Sequence, residues 1–262
     1  MKPKTFLFLL FLILPNFFIG QMLEEINIKP KDLVDPDQYP FGVYLKVGLP
    51  AGAFAVETGK NSIRQNFQEQ GINLPNLRSS NIFAVGIRYK RFYLEIGATN
   101  QLNSFPTSSS NSSRVVFKGF TINANNTAGW GNVGVSLFQN RNSAFLLRLG
   151  LGRNESSYLI SSNRNLTELN FDDLLGESGS SSSRLIIHEN TFWDIGVEFL
   201  RGRAKSPNNF GEIIRLGFRR GINEVAWREF NTSSVNAPLD RMSEIYMQLC
   251  FHLGYNFAAK SK

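Results

Sequence analysis

The sequence predicts an all-β protein whose strands close into a single antiparallel barrel that spans a membrane. Three observations carry this prediction: a two-residue periodicity in eight segments, a wholly apolar face on the last of them, and an alternation of short and long connections. Successive side chains of a strand point to opposite faces, so this period is typical of strands with one apolar face. The eight segments therefore predict eight strands.

The last segment, residues 244–257, has the clearest pattern. Its seven odd-numbered residues are all apolar, whereas the even-numbered ones include glutamate, glutamine, histidine and glycine. A half-buried strand in a soluble domain seldom needs so many apolar positions. A membrane-spanning strand of about 9 to 11 residues presents such a band to lipid.

The other seven segments follow the same alternation. They are residues 41–49, 82–90, 92–99, 130–138, 145–151, 193–199 and 210–219. The connections at 90–91, 139–143 and 201–209 are short. Those at 50–79, 102–127, 162–184 and 222–240 are long and rich in serine and asparagine. Short periplasmic turns and long outer loops are typical of bacterial barrels.

One further stretch, residues 115–122, also alternates within a long connection. It predicts a hairpin arm or a bulged extension above the membrane, or else an additional pair of strands. A barrel of ten strands therefore remains the alternative to one of eight.

The N-terminus predicts export. Lys2 and Lys4 precede a short apolar run, the pattern of a secretory signal peptide over residues 1–20, with cleavage near Gly20. Its removal changes the net charge from +7 to +5. Residues 21–40 then form a short polar periplasmic segment, 41–257 the barrel and 258–262 a tail. The single cysteine, Cys250, excludes an internal disulfide.

The face opposite the apolar one carries charge, and the barrel interior is its predicted place. The residues on it are Lys46, Arg88, Glu95, Arg148, Asp194, Glu198, Arg215, Arg219, Gln248 and His252. Side chains just fill the interior of an eight-stranded barrel, and buried charges must pair. We therefore expect an ion-paired plug in which His252 is a hydrogen-bonded packing residue. The excess of five bases over three acids keeps a narrow anion channel as the alternative.

Each predicted strand also has one glycine on its charged face. These are Gly48, Gly86, Gly97, Gly134, Gly150, Gly196, Gly217 and Gly254. Glycine within a strand marks a tight bend or a close approach of neighbouring groups. A ring of eight near the periplasmic strand ends thus predicts a narrow, strongly curved interior.

A soluble lipocalin-like barrel has the same alternation but turns its apolar face inward. Periodicity alone does not separate the two. The glycine ring, the aromatic residues at the strand ends and the asymmetric loops favour the membrane-spanning version.

The signal, the eight segments and the aromatic terminal strand together resemble the small outer-membrane β-barrel proteins of Gram-negative bacteria, the porin-like or OmpA/OmpX-like barrels. Tyr255 and Phe257 resemble the C-terminal signal that barrel-insertion machinery reads. The resemblance implies an outer-membrane location and contact with its lipid and glycolipid. The outer loops are then available for an extracellular ligand or partner protein. Nucleic acid is not expected, because the basic residues are divided between the interior and scattered loops.

Hydrolases also occur on such barrels, but their motifs are not matched here. Lipid A deacylases use a His-x-Ser element, which neither His188 nor His252 begins. Omptin-like proteases use paired acids facing an Asp/His pair, and the spacing of Asp172 and Asp173 to His188 is wrong for this. Two histidines and one cysteine are too scattered for a metal site. We expect a structural or ligand-binding protein without cofactor or enzymatic role, with an embedded hydrolase as a further alternative.

Overall fold

The computed structural model describes the greater part of the predicted barrel. It covers residues 40–69, 71–74, 77–100, 114–117, 120–139, 143–165, 181–202, 208–229 and 237–257. The predicted signal peptide, the segment that follows it up to residue 39, and the tail 258–262 lie outside these residues.

The described residues form one short helix and thirteen strands. In chain order they are β1 (Phe41–Glu57), α1 (Ser62–Glu69), β2 (Leu77–Ser79), β3 (Asn81–Tyr89), β4 (Phe92–Asn100), β5 (Arg114–Phe117), β6 (Phe120–Gln139), β7 (Ser143–Asn165), β8 (Ser181–Gly202), β9 (Asn208–Gly221), β10 (Val225–Ala226), β11 (Arg228–Glu229), β12 (Leu239–Asp240) and β13 (Ser243–Phe257). No helix in the described part of the chain is long and apolar enough to cross a membrane.

Eight of the strands close into an antiparallel barrel. The order around it is β1, β3, β4, β6, β7, β8, β9, β13 and back to β1. Closure is visible at Phe41, which pairs with Tyr89 on one side and with Phe257 on the other. The prediction of eight strands is confirmed. Within the described residues, β5 pairs with β6 alone, as a hairpin arm, and so does not raise the count to ten.

The barrel turns its apolar face outward. Phe92, Ile96 and Leu151 each expose more than half of their surface, at 65%, 62% and 61%. Lys46 and Glu95 are buried on the opposite face. A soluble carrier would show the reverse arrangement, so the lipocalin-like alternative is excluded.

The outward apolar band ends at a row of polar residues on the side of the long connections. The first polar outward residues there include Asn81, Asn100, Thr127, Arg153, Thr191, Arg220 and Ser243. Beyond this row β6, β7 and β8 continue as a sheet. We call the parts of these strands beyond Thr127, Arg153 and Thr191, together with β5 and β11, the extension.

The side-chain pattern inverts in the extension. Ile122, Tyr158, Ile160 and Ile186 are buried on the inner face, whereas Glu155 is exposed on the outer one. Water has replaced lipid outside, so the apolar residues of the extension turn inward. The stretches 123–127, 162–165 and 181–184, which were predicted as loop, are strand.

A cap packs against the inner face of the extension. It consists of α1, residues 71–74 and Trp227 with β12, and it buries Ile63 and Phe67 in one cluster with Tyr158. The Asn61 side chain begins α1, because its Oδ1 accepts a 2.9 Å hydrogen bond from the backbone N–H of Arg64. The predicted loops 50–79 and 222–240 thus contain regular structure and an apolar core of their own.

Candidate functional site

Two carboxylates and three bases meet at the centre of the barrel interior. Lys46 Nζ lies 2.6 Å from Glu95 Oε2 and 2.7 Å from Glu198 Oε1. Arg215 Nη2 lies 2.7 Å from Glu95 Oε1 and 3.1 Å from Glu198 Oε2. Arg148 Nη2 adds a 3.3 Å contact to Glu95. We call these five residues the central cluster.

The five side chains come from β1, β4, β7, β8 and β9 and cross the interior of the barrel. All five are buried, with Arg215 fully enclosed. A buried charge is tolerated only when partners replace the water it has lost. Each carboxylate of the central cluster therefore has several cationic partners, which also link strands that are not neighbours in the sheet.

A second cluster lies on the extracellular side of the first. Arg219 Nε is 3.2 Å from Asp194 Oδ2, and Arg219 Nη1 is 3.0 Å from Glu244 Oε1. The hydroxyl of Tyr246 donates a 2.7 Å hydrogen bond to Asp194. The guanidinium also lies 4.7 Å from the ring centre of Trp130, a cation–π distance.

The sequence analysis missed Glu244 as a member of the interior network. It lies on the same face of β13 as Tyr246 and Gln248, so strand parity contained the signal. With Glu244 included, the acids of the interior rise from three to four against five bases. The excess of positive charge that suggested an anion channel is correspondingly smaller.

The periplasmic third of the interior is held together differently. Arg88 Nη2 donates a 2.9 Å hydrogen bond to Asn256 Oδ1, and the ring of His252 stacks on Tyr44 at 5.3 Å. Neither nitrogen of His252 has a hydrogen-bond partner among the described residues. The expectation of a hydrogen-bonded His252 was wrong. The ammonium of its cross-strand neighbour Lys46 is engaged with Glu95 and Glu198, and its other cross-strand neighbour is Gly211. Gln248 is buried near Arg215, its cross-strand partner.

Several of the inward glycines make room for aromatic rings. Gly86 and Gly254 both pair with Tyr44, and a Cβ added to Gly86 would collide with the Tyr44 ring. Gly217 pairs with Tyr246 and would collide with it in the same way. The remaining inward glycines of the predicted set are Gly48, Gly97, Gly134, Gly150 and Gly196. Their positions follow from those of their bulky neighbours.

Gly217→Ala is expected to lower the free energy of unfolding by about 1 to 3 kcal/mol, because the added methyl overpacks against Tyr246. Gly131→Ala is the matched control, since a Cβ at Gly131 meets nothing within 4 Å. Urea unfolding in lipid vesicles, followed by tryptophan fluorescence, measures both. Equal stability of the two variants would contradict the assigned packing role.

The cap is fastened by one carboxylate. Asp240 Oδ2 accepts hydrogen bonds from the backbone N–H of Ser62 at 2.7 Å and from the indole N–H of Trp227 at 2.6 Å. Asp240 Oδ1 accepts a third from the Ser62 hydroxyl at 2.7 Å. Below this point Glu57 forms ion pairs with Arg64 and, at 2.8 Å, with Arg78. The helix and the two connections that form the cap are thereby joined.

Comparison with known proteins gives matches of structure but not of sequence. No family model and no curated protein matches the chain. Neisserial surface protein A is similar in structure, with 12% identity over 83% of this chain and 97% of its own and a TM-score of 0.41. Ail, the attachment invasion locus protein of Yersinia pestis, has 12% identity over 82% and 98%, with a TM-score of 0.39. A major outer membrane protein from Thermus thermophilus has 11% identity over 83% and 98%, with a TM-score of 0.44.

The decisive feature is the closed antiparallel barrel with lipid-compatible side chains outside and ion pairs inside. A closed barrel satisfies every backbone hydrogen bond internally, as a membrane interior requires. The protein is a membrane-spanning β-barrel. The resemblance drawn from the sequence is confirmed at the level of fold.

This barrel offers no hydrolytic arrangement at its histidines within the described residues. His188 points inward and stacks on Trp227 at 4.8 Å, with Nε2 3.2 Å from the backbone carbonyl of Asp240. Burial lowers the pKa of His188, so its ring is neutral at neutral pH. Its neighbour Glu189 faces outward.

The nearest hydroxyl across the strand pair belongs to Ser156, which is engaged with Asn126 and Asn154. Asp172 and Asp173 lie outside the described residues. The part of the chain that the structure describes also contains no group of three or more potential metal-binding side chains.

Proposed function

We propose that this outer-membrane barrel is closed to solutes and acts as a structural or ligand-binding protein that presents its extension and cap outside the cell. The observation that carries the proposal is the central cluster. Its ion pairs join opposite walls of the barrel through side chains that exclude water. Insertion through Tyr255 and Phe257 at the end of β13 belongs to the same proposal.

The architecture beyond the membrane supports recognition through the extracellular side. The extension is a continuous sheet, because β7 pairs with β8 from Ser143 to Asn165 along almost its whole length. Three hydrogen bonds of Asp240 join α1 and Trp227 within the cap, and the apolar contacts of Ile63 and Phe67 with Tyr158 pack the cap against the extension. A binding surface on a rigid scaffold loses less conformational entropy when a partner docks than one on free loops.

Conductance in planar lipid bilayers tests the proposal. The purified full chain is expected to give no unitary current steps under conditions in which a general porin, inserted into the same bilayers, conducts. Insertion is checked in lipid vesicles of the same composition, from which the recovered protein should migrate on a gel as a compact, heat-modifiable barrel.

Regular unitary steps from the inserted protein would overturn the proposal. Selectivity of those steps for chloride over potassium would then establish the narrow anion channel. Hydrolysis of glycolipid or peptide substrates that is lost in His188→Ala or His252→Ala would establish the hydrolase instead.

A further inference from the structure

An arginine cluster lies on the outer surface where the apolar band ends. Arg153 on β7, Thr191 on β8 and Arg220 on β9 are the first polar outward residues of three adjacent strands. This level corresponds to the head groups of the outer leaflet, since the residues below it face the acyl chains. The cluster therefore faces lipid head groups and not the loops of the cap.

Strand pairing fixes the spacing of the two arginines. Arg153 pairs with Thr191, and Arg220 pairs with Trp193 on the same strand, so the arginines flank β8. Two interstrand spacings across and two residues along the strand give a separation of roughly 12 Å between their backbones. Trp193, opposite Arg220, packs edge-on against Phe218 at 5.4 Å. A cationic pair thus lies next to an aromatic pair at the boundary of the membrane.

The neighbouring carboxylates do not neutralise all of the arginines at this level, so the arginines can bind an anion. Glu189 alone neutralises two of them, with Arg153 at 2.6 Å and Arg228 of β11 at 3.2 Å. Arg220 is exposed and has no ion-pair partner among the described residues. The other nearby carboxylate, Glu155, lies opposite Glu189, one pair further from the membrane. Three arginines thus exceed two carboxylates, and the excess is greatest next to the membrane.

A pocket of about 160 Å³ opens beside Arg153. It lies in a gap beside β8. The pairing of β8 with β9 ends at Phe192 and Gly221, and the pairing of β8 with β11 begins at Ile187 and Arg228. Asn190 lines it, is 2% exposed, and its Oδ1 has no donor among the described residues. Its Nδ2 is already used, in a 2.9 Å hydrogen bond to the carbonyl of Asn223. The pocket therefore offers a buried acceptor next to a cation.

We propose that this cluster binds the phosphorylated sugar head group of an outer-leaflet glycolipid. Arg153 and Arg220 bind the phosphate, for which the planar guanidinium is well suited. The Thr191 hydroxyl donates to a phosphate oxygen, and Asn190 Oδ1 accepts from a sugar hydroxyl. Trp193 packs where the sugar meets the acyl chains. The site does not depend on whether the barrel conducts.

Binding of two glycolipid probes to the detergent-purified full chain tests the site. The probes are an acylated disaccharide bisphosphate and the same molecule after removal of both phosphates, with affinity measured by native mass spectrometry. The phosphorylated probe is expected to bind at least about tenfold more tightly, and Arg153→Ala/Arg220→Ala to lose about tenfold or more of that affinity, because it removes both guanidinium partners of the phosphate.

The matched control is Arg91→Ala/Arg201→Ala, which removes two exposed arginines at the opposite end of the barrel. It is expected to bind like the unmodified protein, and heat-modifiable gel mobility establishes that both variants remain folded. Equal binding of the two probes, or an equal loss in the control pair, would overturn the proposal. Displacement of the probe by an equal concentration of inorganic phosphate would overturn the glycolipid as ligand and indicate a soluble anion.

Discussion

Replacing Glu95 with alanine is expected to lower the free energy of unfolding of the barrel by about 3 to 5 kcal/mol, because it leaves buried cations without their counter-charge. Glu95 is 3% exposed and within 3.3 Å of Lys46, Arg148 and Arg215. Urea unfolding in vesicles measures the loss. Glu155→Ala, which removes an exposed glutamate from the outside of β7, is the matched control and is expected to change stability little.

A second pair of variants separates charge from shape at the same site. Glu95→Gln preserves the side-chain volume, so any decrease in the free energy of unfolding is due to the loss of charge. Adding Lys46→Met to it restores the charge balance and is expected to recover part of that decrease, as coupled neighbours in one network do. If Glu95→Ala were no more costly than Glu155→Ala, the interior would be hydrated. The channel alternative would then become the leading hypothesis.

Replacing Asp240 with alanine is expected to release the cap while the barrel stays closed. The substitution removes the acceptor of three hydrogen bonds, two from Ser62 and one from Trp227. Hydrogen bonds to a charged group contribute about 1.5 to 3 kcal/mol each, so the local loss is about 3 kcal/mol or more. Amide hydrogen exchange in α1 is expected to accelerate on the order of a hundredfold, since about 1.4 kcal/mol corresponds to a factor of ten.

The matched control for the cap is Glu224→Ala. Glu224 belongs to the same connection but is exposed, with its carboxylate 3.8 Å from Arg241. It is expected to leave exchange in α1 unchanged, and both variants should keep the heat-modifiable mobility of a closed barrel. Unaltered exchange in Asp240→Ala would show that the apolar contacts of Phe67 and Trp227 hold the cap without the carboxylate.

The membrane-spanning part of the barrel was predictable because the alternation of residues along each strand determines which side chains face lipid. Lipid outside and a polar interior require alternate residues of a membrane-spanning strand to be apolar and polar, as in β13, where each odd-numbered residue from Ile245 to Phe257 is apolar. The same rule identified the inward charges, including Glu95, Arg148 and Arg215. It did not reveal which of them meet, because contacts across the interior depend on the closure and stagger of the whole sheet.

The extension was missed because the rule changes where water replaces lipid. Ile122 and Ile160 lie on the inward face, opposite to the apolar residues of the same strands within the membrane. The sequence analysis predicted the stretch containing Ile122 as a hairpin arm and ended the strand before Ile160 at Leu151, because it applied the parity of the membrane-spanning part. The long connections were likewise expected to lack structure, since nothing local in the sequence joins α1 to Trp227.

The sequence by itself determined a closed barrel of eight strands, its orientation of apolar residues toward lipid, and most of the charges inside. Those properties follow from a two-residue period and from the cost of placing charge in hydrocarbon. Only the tertiary structure decided the ion-pair partners, the cap and the arginine cluster on the outer face. Asp240 and Ser62 are 178 residues apart in the chain and 2.7 Å apart in space. Closure of the barrel brings them together, and no local pattern encodes that contact.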